Sequence, residues 1–128
     1  MYENGKIYMG LADGARVELA LNMCNRHGLI AGASGTGKTI TMKVMAESFS
    51  DAGVPVFLCD VKGDVAGICA PGVSSEGMEK RIDKFGLRDR FVYQGYPTTF
   101  WDVYQEGGHA VRATVCLLYT SDAADDTP

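Results

Sequence analysis

No two cysteines of this chain form a C-x-x-C pair: Cys24, Cys59, Cys69 and Cys116 stand far apart. That spacing argues against a structural zinc site. No apolar run approaches the roughly 20 residues a membrane-spanning helix needs. The N-terminal Met1-Tyr2-Glu3-Asn4-Gly5-Lys6 leads into no apolar h-region, so no secretory leader is read and a cytoplasmic location is expected. There is no basic stripe, the usual footprint of nucleic-acid binding, and no internal repeat or low-complexity linker. The net charge of −4 overstates the acidity, because Asp122, Asp125 and Asp126 crowd the C-terminus. Setting aside those three of 16 acids leaves 13 against 12 bases, so overall charge favours no class of partner. At 128 residues, 46% of them hydrophobic, the chain is long enough for one globular domain.

What the chain does contain is Gly32-Ala33-Ser34-Gly35-Thr36-Gly37-Lys38-Thr39, the GxxxxGK[ST] phosphate-binding pattern, or Walker A motif. Each residue type answers a demand of a triphosphate. The glycines let the backbone turn through positive φ and come close to a phosphate. The turned backbone aims several N–H groups into one concavity, and the following helix adds the positive end of its dipole. The amides of Gly32, Ala33, Ser34, Gly35, Thr36, Gly37, Lys38, Thr39 and Ile40 are therefore candidate phosphate ligands. Lys38 supplies an ammonium for the β- and γ-phosphates, and the Thr39 hydroxyl a ligand for Mg²⁺. Context supports the pattern. Gly28-Leu29-Ile30-Ala31 reads as a short buried strand upstream. Ile40, Val44, Met45 and Phe49 recur at helical spacing downstream, predicting a helix from about Lys38 to Asp51 that Gly53 stops.

Elsewhere, residues 6–10 and 16–20 read as two strands joined by the Ala12-Asp13-Gly14 turn. Residues 54–59 read as a second buried strand, with Cys59 a small buried hydrophobe. Residues 64–70 read as a short helix capped by Asp64, and residues 75–85 as an amphipathic helix capped by Ser75 with Met78, Ile82 and Phe85 on one face. Residues 91–93 and 99–104 are strand candidates, 105–109 a glycine turn, and Val111 onward the start of a further helix. Strands alternating with helices predict an α/β fold: a P-loop NTPase three-layer sandwich with a mostly parallel sheet, preceded by a short β-hairpin and truncated. In such sheets the ligand sits beyond the carboxyl ends of the strands.

Asp60 falls at such a strand end, and Val56-Phe57-Leu58-Cys59-Asp60 fits a Walker B pattern. Its carboxylate could bind the Mg²⁺ through water or orient an attacking water, which makes it a candidate catalytic and metal residue beside Lys38. The plainer reading is that Asp60 and Asp64 cap a turn and a helix. Lys62 could face phosphate or nucleic acid, or be solvated. His27 is expected to be a hydrogen-bonded structural residue, and His109 sits without an identifiable partner. Tyr93, Tyr96, Phe100 and Trp101 are expected to pack in the core rather than stack on bases.

Three stretches together resemble the bacterial HerA-like helicase C-terminal family. They are residues 25–39, residues 53–64 (Gly53-Val54-Pro55-Val56-Phe57-Leu58-Cys59-Asp60-Val61-Lys62-Gly63-Asp64), and Trp101-Asp102-Val103-Tyr104 followed by His109 and Val111-Arg112-Ala113-Thr114-Val115. The resemblance covers residues 5–115. It implies an ATP-hydrolysing, DNA-translocating helicase-type motor of the HerA–FtsK superfamily, with ATP and Mg²⁺ as cofactors, DNA as partner, a hexameric ring and no membrane. It also implies that Asp60 is not the main Walker B acid, because the family's catalytic glutamate and its arginine finger lie further downstream. Ser34 stands where the family more often has threonine, and Ala110 where it has proline.

Residues 116–126 read as one frame of a sequencing-library transposase adapter, the alternative being a natural amphipathic segment with an acidic end. The expected organisation is therefore residues 1–115 as the N-terminal part of an ATPase domain and 116–128 as a non-native tail. Such a fragment would bind nucleotide and hydrolyse it poorly. Two other readings stand beside it. One is a GTPase-like nucleotide switch, for which Asp60-x-x-Gly63 is a weak match and no Asn-Lys-x-Asp is present. The other is a non-functional truncated product.

Overall fold

The computed structural model describes residues 1–104 and 106–111. These fall into two compact units, Met1–Pro97 and one beginning at Thr98.

The first unit opens with an antiparallel sheet of β1 (Tyr2–Glu3), β2 (Lys6–Ala12) and β3 (Ala15–Ala20), in that order. Both connections are two-residue turns with positive φ at each position: Asn4 at 50° with Gly5 at 75°, and Asp13 at 50° with Gly14 at 78°. Asn-Gly and Asp-Gly are the pairs that a type I′ hairpin selects, because its twist matches that of the strands. The register runs Ile7 opposite Leu19 and is interrupted by a bulge between Tyr8 and Gly10. The bulge coincides with burial of successive residues, Ile7 and Tyr8. The Tyr8 hydroxyl donates to the Phe85 carbonyl at 2.9 Å, and Arg16 lies 4.5 Å from its ring centroid.

Helix α1 spans Lys38–Asp51 and α2 spans Glu76–Lys84. Each ends on a glycine in the left-handed conformation, Gly53 at 76° and Gly86 at 62°. At the end of α1, Val54 N–H donates to the Phe49 carbonyl and Gly53 N–H to that of Ser50. At the end of α2, Leu87 and Gly86 do the same with Ile82 and Asp83. This is the Schellman pattern, and the hydrophobic contact that accompanies it joins Leu87 to Ile82. These two residues and Tyr8 form the buried cluster, with Met1, Phe91 and Tyr93 packed against it. The helix expected over residues 64–70 is a shorter 3₁₀ turn, Ala66–Cys69, and its organising carboxylate is Asp60 rather than Asp64.

The second unit pairs β4 (Trp101–Asp102) in parallel with β5 (His109–Ala110). A parallel pair ordinarily needs a long crossover. Here the Asp102 carboxylate gathers the short connection by accepting the N–H groups of Tyr104, Glu106 and Gly107. The expected strand over 99–104 is thus only two residues long, and His109, expected in a turn, stands in a strand. The helix expected beyond Val111 and the segment 116–128 lie outside the described residues.

The expected three-layer P-loop sandwich with a mostly parallel sheet is not what forms. Among the described residues the sheets are a three-stranded antiparallel one and a two-stranded parallel one, and residues 28–31, 54–59 and 91–93 join neither. Parallel strands are held by neighbours on both edges and helices over both faces. Here Leu29 is 88% and Phe57 79% exposed, so neither lies beneath a covering layer. The same lack of cover leaves Ile40 on α1 exposed, while Ala46 and Ser48 are the residues α1 buries. Cys59, Phe100 and Trp101, expected inside, are exposed as well. Among the described residues no helix is long and apolar enough to cross a membrane.

Candidate functional site

The glycine loop, residues 32–37, joins an unpaired segment to the mouth of α1. Gly37 caps the helix with φ 96° and ψ 16°, and Gly35 sits at φ 79°. Gly32 is required for a different reason. A Cβ there would stand 2.5 Å from Thr36 Oγ1, inside any permissible contact. The Thr36 hydroxyl itself donates to the Ala33 carbonyl at 2.8 Å. Lys38 folds back over the loop, its ammonium donating to the carbonyls of Gly32 at 2.8 Å and Ala33 at 2.7 Å. One side chain thereby ties the first residues of the loop to the first residue of the helix. Thr39 follows, half-buried in the first helical turn.

The electrostatics of that mouth are unusual for a helix standing alone. The first amides of a helix have no intrahelical acceptor and are commonly met by a capping side chain and by acids in the first turn. Helix α2 has both: Ser75 accepts from Met78 N–H, Glu76 and Glu79 lie in the first turn, and Arg81 and Lys84 in the last. Helix α1 has no side-chain cap and no acid in its first turn, and it begins with a cation, Lys38. Helix amides and ammonium together present positive charge at one point. A multiply charged anion would satisfy both at once.

Asp60 is placed otherwise. Its Oδ2 accepts the N–H of Val65 at 2.8 Å. That hydrogen bond, with further ones from Gly63, Ala66 and Asp64 amides, holds the carboxyl below the ordinary aspartate value. The carboxylate is thus employed in the turn that leads to Ala66–Cys69. Lys62 and Asp64 are exposed. Among the described residues, no group of three or more His, Cys, Asp or Glu stands ready to hold a metal ion. His27 is exposed. His109 gains a neighbour that sequence reasoning did not identify, with its ring centroid 5.8 Å from that of Trp101.

The pattern of residues 8–119 decides the affiliation: it matches the family described as helicase HerA-like C-terminal. The chain belongs to that family. No curated protein and no solved structure matches it. The HerA-like match takes in the glycine loop, both helices, the Asp60 turn and the β4–β5 pair, and so crosses both units.

Beside the loop, a cleft of about 790 Å³ runs along the α1 face that bears Ile40, Val44 and Glu47. Partial burial pushes the Glu47 carboxyl above the ordinary glutamate value. The N-terminal ammonium opposes that shift, the Asp51 charge adds to it and Lys43 opposes it. A raised folded-state pKa means that the favourable contribution is full below the unfolded value, about pH 4, and is lost as pH rises through the folded one. Glu47→Gln is therefore expected to raise the melting temperature at pH 7, with the gain vanishing near pH 4. Thermal melts of both proteins across that range check it; a gain that persists at pH 4 would contradict the titration.

Proposed function

We propose that residues 32–39 of this HerA-like chain hold the polyphosphate of Mg·ATP, and that the chain is the nucleotide-binding portion of a DNA-translocating, helicase-type motor that works as a ring. The observation that carries the first part is the mouth of α1: without a side-chain cap, free of acid in its first turn, bearing Lys38, and led into by Gly35 and Gly37 at positive φ. Family membership supports the second part.

In this reading the amides from Gly32 to Ile40 and the Lys38 ammonium bind and orient the phosphates. Thr39 offers its hydroxyl to Mg²⁺. Magnesium keeps several waters and takes oxygens from substrate phosphates, so it does not need an all-protein cage. Asp60 joins through water, if at all, since its Oδ2 serves the turn. Hydrolysis would rest on positioning and charge stabilisation, with no covalent intermediate on the protein. Binding rather than turnover is the property to measure on this chain.

Competition of ATP and GTP against a fluorescent ATP analogue tests the reading. ATP should displace the probe at lower concentration than GTP. Preference for GTP would support a switch-type nucleotide module, and failure of the probe to bind at all would remove the proposal.

A further inference from the structure

We propose that the cleft beside α1 binds a single strand of nucleic acid, with Lys43, Arg81 and Lys84 on its phosphates. This deepens the DNA-motor part of the reading above, and rests on it, by giving the strand a place on this chain. The cleft has a volume of about 790 Å³ and lies wholly within the first unit. One wall is the α1 face of Ile40, Lys43 and Glu47, and another the α2 side that carries Met78, Arg81 and Phe85. Spacings of three and four residues put each set on one side of its helix. The third wall is firm. Tyr96 N–H donates to the Ile68 carbonyl at 3.0 Å, and a Cβ on Gly95 would stand 2.5 Å from the Cys69 carbonyl oxygen, so the two segments press against each other.

Charge identifies the occupant. Among the described residues, Lys6, Arg16, Lys80, Arg88 and Arg90 each pair with a carboxylate, and Lys38 is engaged by carbonyls. No such ion pair engages Lys43, Arg81 or Lys84, and all three line the cleft. Against them the lining sets one carboxylate, Glu47. An excess of cations in a concave site raises the local concentration of anions, and cations on two different helices can meet successive phosphates of one strand. The rings decide between polyanions. Phe85 and Tyr96 line the same cleft, and the Lys84 ammonium sits 5.8 Å from the Phe85 ring centroid, so a cation and an aromatic ring stand at one spot. A positive groove with aromatic side chains holds single strands by backbone charge and base stacking. A duplex keeps its base faces inside, so the unpaired strand is the occupant that uses both features. The sequence shows no basic stripe because positions 43, 81 and 84 converge only on folding.

Fluorescence anisotropy of the full chain with a labelled oligothymidylate of about 15 nucleotides tests the site. Three phosphate contacts at roughly −0.7 each predict a slope of about −2 for log K against log salt. Arg81→Gln/Lys84→Gln should bring that slope to about −0.7 and weaken binding about 25-fold near 0.1 M salt. Both residues are exposed, so the double variant should melt close to the parent. A fluorescent Mg·ATP analogue should bind parent and variant alike, since neither position belongs to residues 32–39. If the analogue binds neither protein while the strand binds as expected, the reading of the glycine loop fails and the cleft stands. Three outcomes would overturn the cleft: no binding of the oligonucleotide, a slope unchanged in the double variant, or displacement of the strand by Mg·ATP, which would give the cleft to the nucleotide. Displacement by polyglutamate as readily as by unlabelled oligothymidylate would also overturn it, in favour of an acidic peptide.

Discussion

Lys38→Ala should weaken binding of Mg·ATP roughly 10- to 140-fold. A hydrogen bond to a charged group contributes about 1.5–3 kcal/mol, and about 1.4 kcal/mol is a factor of ten. Two losses combine. The ammonium no longer meets the phosphates, and the tie from the helix start to the carbonyls of Gly32 and Ala33 disappears. Stability should respond differently. A cation in the first turn opposes the helix dipole by about 0.3–1 kcal/mol, so its removal offsets part of what the two hydrogen bonds contribute. The variant is expected to melt within a few degrees of the parent while binding collapses. Titration calorimetry paired with thermal melts reads both. Equal affinity in the two proteins would defeat the assignment of the loop, and a matching loss of stability would reduce Lys38 to a structural clip.

Gly32→Ala is expected to cost at least about tenfold in the same titration, for a steric reason. The new methyl would meet Thr36 Oγ1 at 2.5 Å. Either the Thr36 side chain swings away and gives up its bond to the Ala33 carbonyl, or residues 32–33 move off the helix mouth. Both outcomes disturb the loop proposed to hold the phosphates, and a displacement of about 1 Å in a binding site can cost about 100-fold. The double variant Gly32→Ala/Thr36→Ala separates the causes. Removing Oγ1 leaves the nearest Thr36 atom, its Cβ, at 3.5 Å, an ordinary contact. Affinity should then return to near that of Thr36→Ala alone. Residues this close couple strongly, so a purely additive result would show that the loss at Gly32 has another origin.

Much of the local structure was legible along the chain. Helix α1 runs from Lys38 to Asp51 as the spacing predicts, and Gly53 ends it at positive φ. Ser75 caps α2, and Asp13-Gly14 turns the hairpin. The Asn4-Gly5 turn and the Gly86 stop carry equally clear signals. The local geometry of residues 32–39 was legible too: Gly35 and Gly37 take positive φ and the loop opens directly into α1. Asp60 was legible only as a pair of alternatives. The Val65 N–H at 2.8 Å shows Asp60 serving the turn, whereas Asp64 caps no helix.

The amino-acid order alone therefore determined helices α1 and α2, their ends and the hairpin turns. All of these are settled by interactions among residues close in sequence. Tertiary structure decided whether apolar runs become strands. Residues 28–31, 54–59 and 91–93 have the composition of buried strands, yet a strand exists only where a partner supplies the other half of each hydrogen bond and a layer covers each face. Their neighbours would have to come from distant parts of the polypeptide, and no local pattern reports whether those neighbours arrive. Among the described residues they do not. Leu29 and Phe57 remain in solvent, and the sheets that form are the antiparallel one built by short turns and the small parallel pair gathered by Asp102.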